Sequence, residues 1–389
     1  MVSSDRGSLA RDPRRYEVTP VELFFDLVYV FAFIQLSRRL LEHLDWTGLA
    51  TTVVLYFAVF WTWGYTVWAV SLTDTRKAPV RWMLLVSMLF GLFMNASIAA
   101  AFEEAGWWFV GAYLPALIGR TIWLLTVNLQ PALHAHFQRV LVWQLASAPL
   151  WIAGAAAGPE TRLLLWACGV GIDLAGTLTA HPLPGRWLHS AGIAFAAPHM
   201  FERCRLFFLI ALGETVLTTG WAIADAPVQP ITLLTGTVAL AGTVAIWWAY
   251  FRRSEAAARR QAEQDADPTR ASRYATNGLM LMVAGLISIA VGDELVIAHP
   301  TEQTTVATNA ALYAGPALFL TAQLWFARSV ARELPPSRLV GLIALAIVGT
   351  ATLRAPSFVA GIGSTAVLVG VAIADGRRAR AEEADHAGT

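Results

Sequence analysis

Charged residues are scarce in this sequence. They make up 14% of its 389 residues, whereas a soluble globular domain has about 25%. Hydrophobic residues make up 56% and the net charge is only +1, so no nucleic-acid partner is indicated. The two cysteines, Cys168 and Cys204, are too few for a disulfide framework and lack C-x-x-C spacing, so we expect ordinary thiols.

Several signatures of soluble enzymes are also missing. The sequence has no Walker A motif, no Gly-x-Gly-x-x-Gly before a helix and no Gly-x-Ser-x-Gly elbow. It therefore predicts no cofactor, and it offers no catalytic residue by motif. Residues 1–19 contain arginines but no apolar core, so we expect a cytosolic N-terminal segment and no cleavable signal peptide.

Long apolar runs are what the sequence has instead. About 20 apolar residues in a helix cross a hydrocarbon core of roughly 30 Å. The predicted spans are 20–37, 46–70, 80–101, 107–130, 138–158, 161–180, 205–224, 229–251, 273–297, 307–327, 338–353 and 356–374. Tryptophans at the ends of such runs, as at Trp46, Trp108 and Trp247, indicate an aromatic belt. The predicted fold is an all-α, polytopic transmembrane bundle of about twelve spans whose first partner is the lipid bilayer.

The basic residues predict an orientation. With the N-terminus inside, 23 of the 28 lysines and arginines fall in inside segments; the exceptions are Arg38, Arg39, Arg120, Arg162 and Arg354. This bias follows the positive-inside rule. It predicts a multi-pass protein of the bacterial inner (plasma) membrane with both termini cytoplasmic.

A weak internal repeat divides the chain. Leu23-Phe24-Phe25 opens the first predicted span and Leu206-Phe207-Phe208 opens the seventh, and aromatic blocks end the second and eighth. The pattern predicts a six-plus-six duplication, as in several transporters, with halves at 20–185 and 199–375. Residues 252–272 form a charged cytosolic connector, and residues 376–389 are expected to be a disordered tail.

Two stretches carry a family resemblance. One is the run from Thr19 to Ala32 (TPVELFFDLVYVFA), and the other comprises HMFER at 199–203 followed by LGET at 212–215. Both resemble the bacterial low temperature requirement A (LtrA) family, as do WWAYF at 247–251 and residues 284–300, and the likeness fades afterwards. The resemblance implies a multi-span inner-membrane protein and no settled reaction or substrate. Tyr274 and Trp248 fall in matching regions and are secondary site candidates, whereas Asn277 and Arg252 depart from the family's pattern.

Acids inside a span are the main site candidates, because an ionisable residue there costs roughly 2.5–3.5 kcal/mol or more. Glu22 and Asp26 are four residues apart, on one helix face and about 6 Å apart along the axis. Two carboxylates that close suit a shared proton or a cation. Glu22 can alternatively cap the helix start. Asp26 lies roughly 9 Å in and needs a cavity or a buried partner.

Arg120 is the basic residue deepest in a predicted span, about 20 Å from the outer end and level with Asp26 and Asp173. It can form a structural ion pair with either acid. It can also bind a ligand that carries a carboxylate or phosphate, because a guanidinium holds such groups bidentately.

Glu214 lies about 13 Å into the seventh span, near the midplane, where transporters bind substrates and coupling ions. A hydrogen bond to a neighbouring helix is the plainer alternative. His199 and Glu202 have metal-ligand spacing, but nothing nearby completes a set. We therefore expect no metal there and a network at the entry to the seventh span, in which Arg203 neutralises Glu202.

Three hypotheses follow. The leading one is a transporter or permease whose proton- or cation-binding acids are Asp26 and Glu214, with Arg120 as the counter-charge. The second is a membrane-embedded enzyme that uses the same acids as general acid or base on a lipid or isoprenoid. The third is a non-catalytic factor for stress tolerance. The substrate, the coupling ion and any homo-oligomer stay open.

Overall fold

The computed structural model describes residue 9 and residues 17–184, 197–251, 268–331 and 334–387. Every named element within these ranges is a helix, which confirms the predicted all-α class. The helices are α1 Pro20–Glu42, α2 Trp46–Leu72, α3 Ala78–Ala96, α4 Gly106–Thr126, α5 Pro131–Ala156, α6 Pro159–Thr179, α7 Ala197–Asp225, α8 Pro230–Ala249, α9 Pro268–Ala298, α10 Val306–Phe326, α11 Pro336–Ala351 and α12 Ser357–Ala387.

Ten of these twelve described helices are long and apolar enough to cross a membrane. The other two are α5, which carries more polar residues, and α11, which is only 16 residues long. Each of the twelve predicted spans corresponds to one helix, so the expectation of about twelve spans fits the described chain.

Proline fixes where many of these helices begin. Six of the described helices have proline as their first residue, at positions 20, 131, 159, 230, 268 and 336. The first N–H groups of a helix have no partner inside it, and the fixed φ of proline matches the helix, so proline fits best at this place. The prolines therefore separate consecutive apolar runs into distinct helices.

Two helix ends differ from the predicted spans. α7 begins at Ala197 and not near residue 205, so the segment with His199, Glu202 and Arg203 is helical. The last helix continues to Ala387, where a disordered tail was predicted, because alanine, arginine and glutamate have high helix propensity. Most of the predicted connector, residues 252–267, lies outside the described residues.

The chain divides into two compact units. Unit 1 comprises Met1–Arg203 with Ala266–Arg270, and unit 2 comprises Cys204–Asp265 with Ala271–Thr389. The predicted six-plus-six repeat stays a prediction.

In unit 1, arginines tie down the connections at one end of the helices. Arg162 is 7% exposed and donates to five carbonyls, those of Ala101, Glu103, Gly154, Ala155 and Ala157. Arg39 donates to the Ala99 carbonyl at 2.6 Å. These carbonyls lie in turns and at helix C-termini, where the backbone lacks helical partners. Both arginines, which the sequence placed outside, therefore have structural roles.

In unit 2, α9 and α10 meet backbone to backbone. A Cβ on Gly285 would lie 2.7 Å from the Gly315 carbonyl oxygen, and one on Gly315 would lie 2.6 Å from the Gly285 oxygen. Only glycine at both positions permits this distance. Pro316 follows directly, inside α10, and removes one backbone N–H from that helix.

Candidate functional site

The first two turns of α1 place two acids on one face of this helix, in the interior of unit 1. Thr19 precedes the helix, Glu22 lies in its first turn and Asp26 lies one turn further along. Both carboxylates are completely buried. A buried carboxylate needs hydrogen bonds or a cation, so their partners define the site.

Glu22 is held by hydroxyl groups and by a histidine. Its Oε1 accepts from the Thr75 hydroxyl at 2.7 Å and from the Thr19 hydroxyl at 3.0 Å. Its Oε2 lies 2.8 Å from Nε2 of His199. Glu22 therefore does more than cap the helix, because its contacts join α1, the segment after α2 and the start of α7.

The hydrogen-bond pattern requires a proton between His199 and Glu22. The Ser71 hydroxyl donates to the Val67 carbonyl at 2.8 Å, so its oxygen accepts from Nδ1 of His199 at 3.0 Å. Nδ1 then carries a hydrogen. The 2.8 Å contact between Nε2 and Glu22 needs a second proton, on the imidazole or on the carboxyl group, because two bare lone pairs would repel.

Asp26 pairs with Arg203. The Arg203 Nη2 donates to Asp26 Oδ1 at 2.7 Å, and the Trp63 indole N–H donates to the same oxygen at 2.8 Å. The Arg203 Nη1 lies 3.7 Å from Glu22 Oε2. All four ionisable side chains are completely buried. Within the described chain, Asp26 Oδ2 and Arg203 Nε have no hydrogen-bond partner. We call Glu22, Asp26, His199 and Arg203 the four-charge site.

One expectation for this region was wrong. Arg203 was expected to neutralise Glu202, but its partners are Asp26 and Glu22. The two ring nitrogens of His199 contact Ser71 and Glu22. The sequence estimate treated this segment as a loop before the span. In the helix that forms, His199 and Arg203 are four apart and share the face that meets α1.

Arg120 forms a second polar cluster in unit 1. A π-helical turn, Pro115–Gly119, directly precedes it within α4. Its guanidinium is 3% exposed and donates to the Thr66 and Thr121 hydroxyls at 3.2 Å and to the Leu117 carbonyl at 3.0 Å. The Tyr65 ring lies 5.2 Å from its Cζ. Arg120 Nε and the neighbouring Tyr29 hydroxyl have no hydrogen-bond partner among the described residues.

Neither expected ion pair of Arg120 forms in the described structure. Asp26 is occupied by Arg203, and Asp173 accepts from the Tyr113 hydroxyl at 3.4 Å. The Ser147 hydroxyl and the Trp151 indole also lie close to the Asp173 carboxylate. Arg120 and the two acids were predicted to lie at the same depth, but this did not make them neighbours. Depth does not determine the direction in which a side chain points from its helix.

The remaining candidates are Glu214, Tyr274, Trp248 and Glu202. Glu214 belongs to unit 2, is 7% exposed, and its backbone carbonyl accepts from the Thr218 hydroxyl at 3.2 Å. Tyr274 packs its ring against Trp325 at 5.4 Å. Trp248 is 38% exposed beside Trp247, as expected of a belt residue. Glu202, next to Arg203, is partly buried.

Sequence reasoning missed the neutral partners of these charges. Trp63, Ser71 and Thr75 contact the four-charge site, and Tyr65 and Thr66 contact Arg120. A signal existed, because Thr62, Thr66 and Thr73 interrupt an apolar helix end at spacings that keep polar groups near one another. Trp63 gave no such signal, because the sequence placed it only in the aromatic block that ends the second predicted span.

A bundle of helices long enough to cross a membrane, with apolar side chains on its exposed surface and ionisable groups inside, defines a polytopic integral membrane protein.

The particular family follows from comparison. The sequence profile of the family described as "Bacterial low temperature requirement A protein (LtrA)" matches residues 17–373, and the chain belongs to this family. The match continues well past residue 300, where the resemblance was expected to fade. The chain is also 34% identical over 330 residues to "Uncharacterized protein RA0937" of Rhizobium meliloti (strain 1021), which covers 82% of this chain and 80% of that protein. No solved structure matches the chain.

Proposed function

We propose that this protein is a transporter that couples a solute to protons, with the four-charge site as its proton-binding centre. The observation that carries the proposal is the fully buried His199–Glu22 contact beside the Asp26–Arg203 ion pair. Ionisable groups at membrane depth are the usual elements of proton relays in pumps and transporters.

Charge balance makes the proton exchangeable. The site holds two acids and one permanent cation, Arg203, so it is neutral only when the His199–Glu22 pair keeps one proton. Loss of that proton leaves one net negative charge in a dry interior, which is costly unless a cation or a conformational change compensates. A site whose charge is coupled to its proton in this way can couple protonation to movement of the helices that carry it.

The surroundings of Arg120 are the reason for proposing that the solute is an anion. Its guanidinium is buried without a carboxylate within ion-pair distance in the described structure, and hydroxyl and carbonyl groups satisfy it only in part. A solute carboxylate or phosphate would supply the missing charge and accept hydrogen bonds from the planar fork. The Tyr29 hydroxyl, which has no partner among the residues that the structure describes, would donate to the same group.

Glu214 and the orientation complete the proposal. We keep Glu214 as a further acid for a coupling cation in unit 2, because it is buried in the middle of α7. We place both termini in the cytoplasm of a bacterium, since the basic residues concentrate on that side under the positive-inside rule. The four-charge site would then face the cytoplasmic half of the membrane.

The test uses the full chain in proteoliposomes on a solid-supported membrane. Concentration jumps of small carboxylates and phosphates should produce a transient current for one solute class, and the current should depend on pH. Asp26→Asn and Glu22→Gln should abolish the pH dependence, and Glu214→Gln should reduce the current. The control is Glu302→Gln, which alters an exposed acid and should leave the current intact.

Wild-type currents that Asp26→Asn and Glu22→Gln leave unchanged would refute the assigned roles. Mass spectrometry of the same vesicles tests the enzyme hypothesis. Detection of a chemically altered lipid or solute would favour that hypothesis over the transporter proposal.

A further inference from the structure

A small cavity in unit 2 is lined by none of the residues assigned to the proposed function. It lies between α8, α9, α10 and α12 and has room for about one water molecule. Its polar lining comes from Asp293 on α9 and from Ser364 and Thr365 on α12.

Asp293 has no hydrogen bond or ion pair among the described residues, although it lies within a predicted span. An ionised carboxylate at such a place normally has a cation or several donors. Here Asp293 lines a cavity, which leaves room for a partner that the described residues do not provide.

The hydroxyl groups of Ser364 and Thr365 both donate to backbone carbonyls. Ser364 donates its proton to the Leu312 carbonyl at 3.0 Å, and Thr365 donates to the Val238 carbonyl at 3.3 Å. Leu312 needs this donor, because Pro316 lacks the N–H that would bond to it in a regular helix. With their protons committed to carbonyls, both oxygens have only lone pairs left for a ligand. Lone pairs beside a carboxylate suit a cation.

Glycines keep the space open. Gly242 and Gly361 line the cavity, and a Cβ on Gly242 would lie 3.2 Å from Thr365 Oγ1. Any larger residue at Gly242 would therefore crowd the hydroxyl oxygen.

We propose that this cavity binds one sodium ion. A single carboxylate among the lining residues balances a single positive charge, whereas calcium sites normally gather several acidic ligands. Hard oxygen ligands exclude the transition metals that prefer nitrogen or sulfur. The space of about one water molecule admits a sodium ion without its hydration shell. The proposal is independent of the four-charge site, which lies in unit 1.

The test measures the unfolding temperature of the purified full-length protein in nanodiscs, in NaCl, KCl or choline chloride at equal ionic strength. A ligand of the native state raises this temperature with its concentration. We expect stabilisation by NaCl over choline chloride, a smaller effect of KCl, and saturable binding of radioactive sodium ions.

Two variants and one control assign the effect. Asp293→Asn should abolish it, and Thr365→Val, which keeps the shape, should weaken sodium binding about tenfold, as expected for one lost polar ligand. The control Glu294→Gln alters the neighbouring acid, which does not line the cavity, and should retain the effect.

Equal unfolding temperatures of the wild type in all three salts, with no bound radioactive sodium, would overturn the proposal. A sodium effect that survives both Asp293→Asn and Thr365→Val would overturn it as well. The proton-dependent currents of the transport assay do not enter this test, so the two proposals can fail separately.

Discussion

Two buried sets of charges in this protein are built differently. In unit 2, Arg338 pairs with Asp375, and both are 3% exposed. Arg338 also donates to Gln323 Oε1 at 3.0 Å and to the Ala249 carbonyl at 3.2 Å, and Ser337 donates to the other Asp375 oxygen at 2.7 Å. One cation meets one anion, and both oxygens of the carboxylate are used.

In the four-charge site of unit 1, by comparison, the numbers of acids and permanent cations are unequal. Two acids share one permanent cation, a proton must lie between His199 and Glu22, and Asp26 Oδ2 has no partner in the described structure. A balanced pair can hold helices together in one state. An unbalanced set changes its net charge with each proton, so it responds to its surroundings. The comparison separates a structural ion pair from a candidate working site.

The largest effect should come from Arg203→Met. This change leaves Asp26 and Glu22 buried without a permanent cation, and removal of one partner of a buried pair costs about 3–5 kcal/mol. We expect a large fall in the unfolding temperature, measured by fluorescence-detected size-exclusion chromatography after heating. Arg203→Lys, which keeps the charge, is the matched control and should recover part of the loss. An unfolding temperature of Arg203→Met equal to the wild type would contradict the ion-pair geometry.

The balanced pair should tolerate removal of both partners. Asp375→Leu alone leaves Arg338 unpaired and should lower stability by about 3–5 kcal/mol. The double variant Arg338→Met with Asp375→Leu should return to within about 1–2 kcal/mol of the wild type, because apolar replacements of a buried pair are often neutral. The same heating assay measures both, and the transport current should persist in the double variant. If the double variant were stable but gave no transport current, the Arg338–Asp375 pair could no longer be separated from the four-charge site as purely structural.

A smaller effect is expected from Trp63→Phe. The indole N–H donates to Asp26 at 2.8 Å, and a hydrogen bond to a charged group contributes about 1.5–3 kcal/mol. The matched control is Trp82→Phe, because Trp82 is 67% exposed. Unfolding temperatures of the two variants should differ clearly. Equal values would mean that the indole does not support Asp26.

The smallest effect is expected from Tyr29→Phe. The Tyr29 hydroxyl is buried and has no hydrogen-bond partner in the described part of the chain, so its removal should change stability by less than about 0.5 kcal/mol. Tyr313→Phe in unit 2 is the contrast, because that hydroxyl contacts Thr352 and the Ala360 carbonyl, both at 3.0 Å, and its loss should cost about 1–2 kcal/mol. Thermal unfolding compares them. A large loss of stability in Tyr29→Phe would reveal a partner and remove this residue from the proposed anion site.

Most of the fold could be predicted from the sequence, because span length and backbone pairing in lipid allow few alternatives. Helix starts were less certain. The apolar run before α7 begins near residue 205, yet the helix starts at Ala197, since His199 and Arg203 find charged partners on α1. Apolar content alone does not reveal such partners.

The acids of the candidate site could be predicted from the sequence, whereas the partners of these acids could not. Glu22 and Asp26 stood out because carboxylates are rare in spans, and their shared face followed from helical spacing. Arg120 was matched to acids of equal depth, but the π-helical turn at Pro115–Gly119 alters the direction of the residues that follow it. Such a turn changes the register by a fraction of a helical turn, which a residue count along the chain does not include.

The glycine contact between α9 and α10 limits how unit 2 can move. Where two backbones touch directly, no side chain can adopt another rotamer to let one helix slide past the other. These two helices should therefore travel as a single rigid body. Access to Asp293 would then depend on displacement of α8 or α12, the two helices whose glycines line the opposite wall.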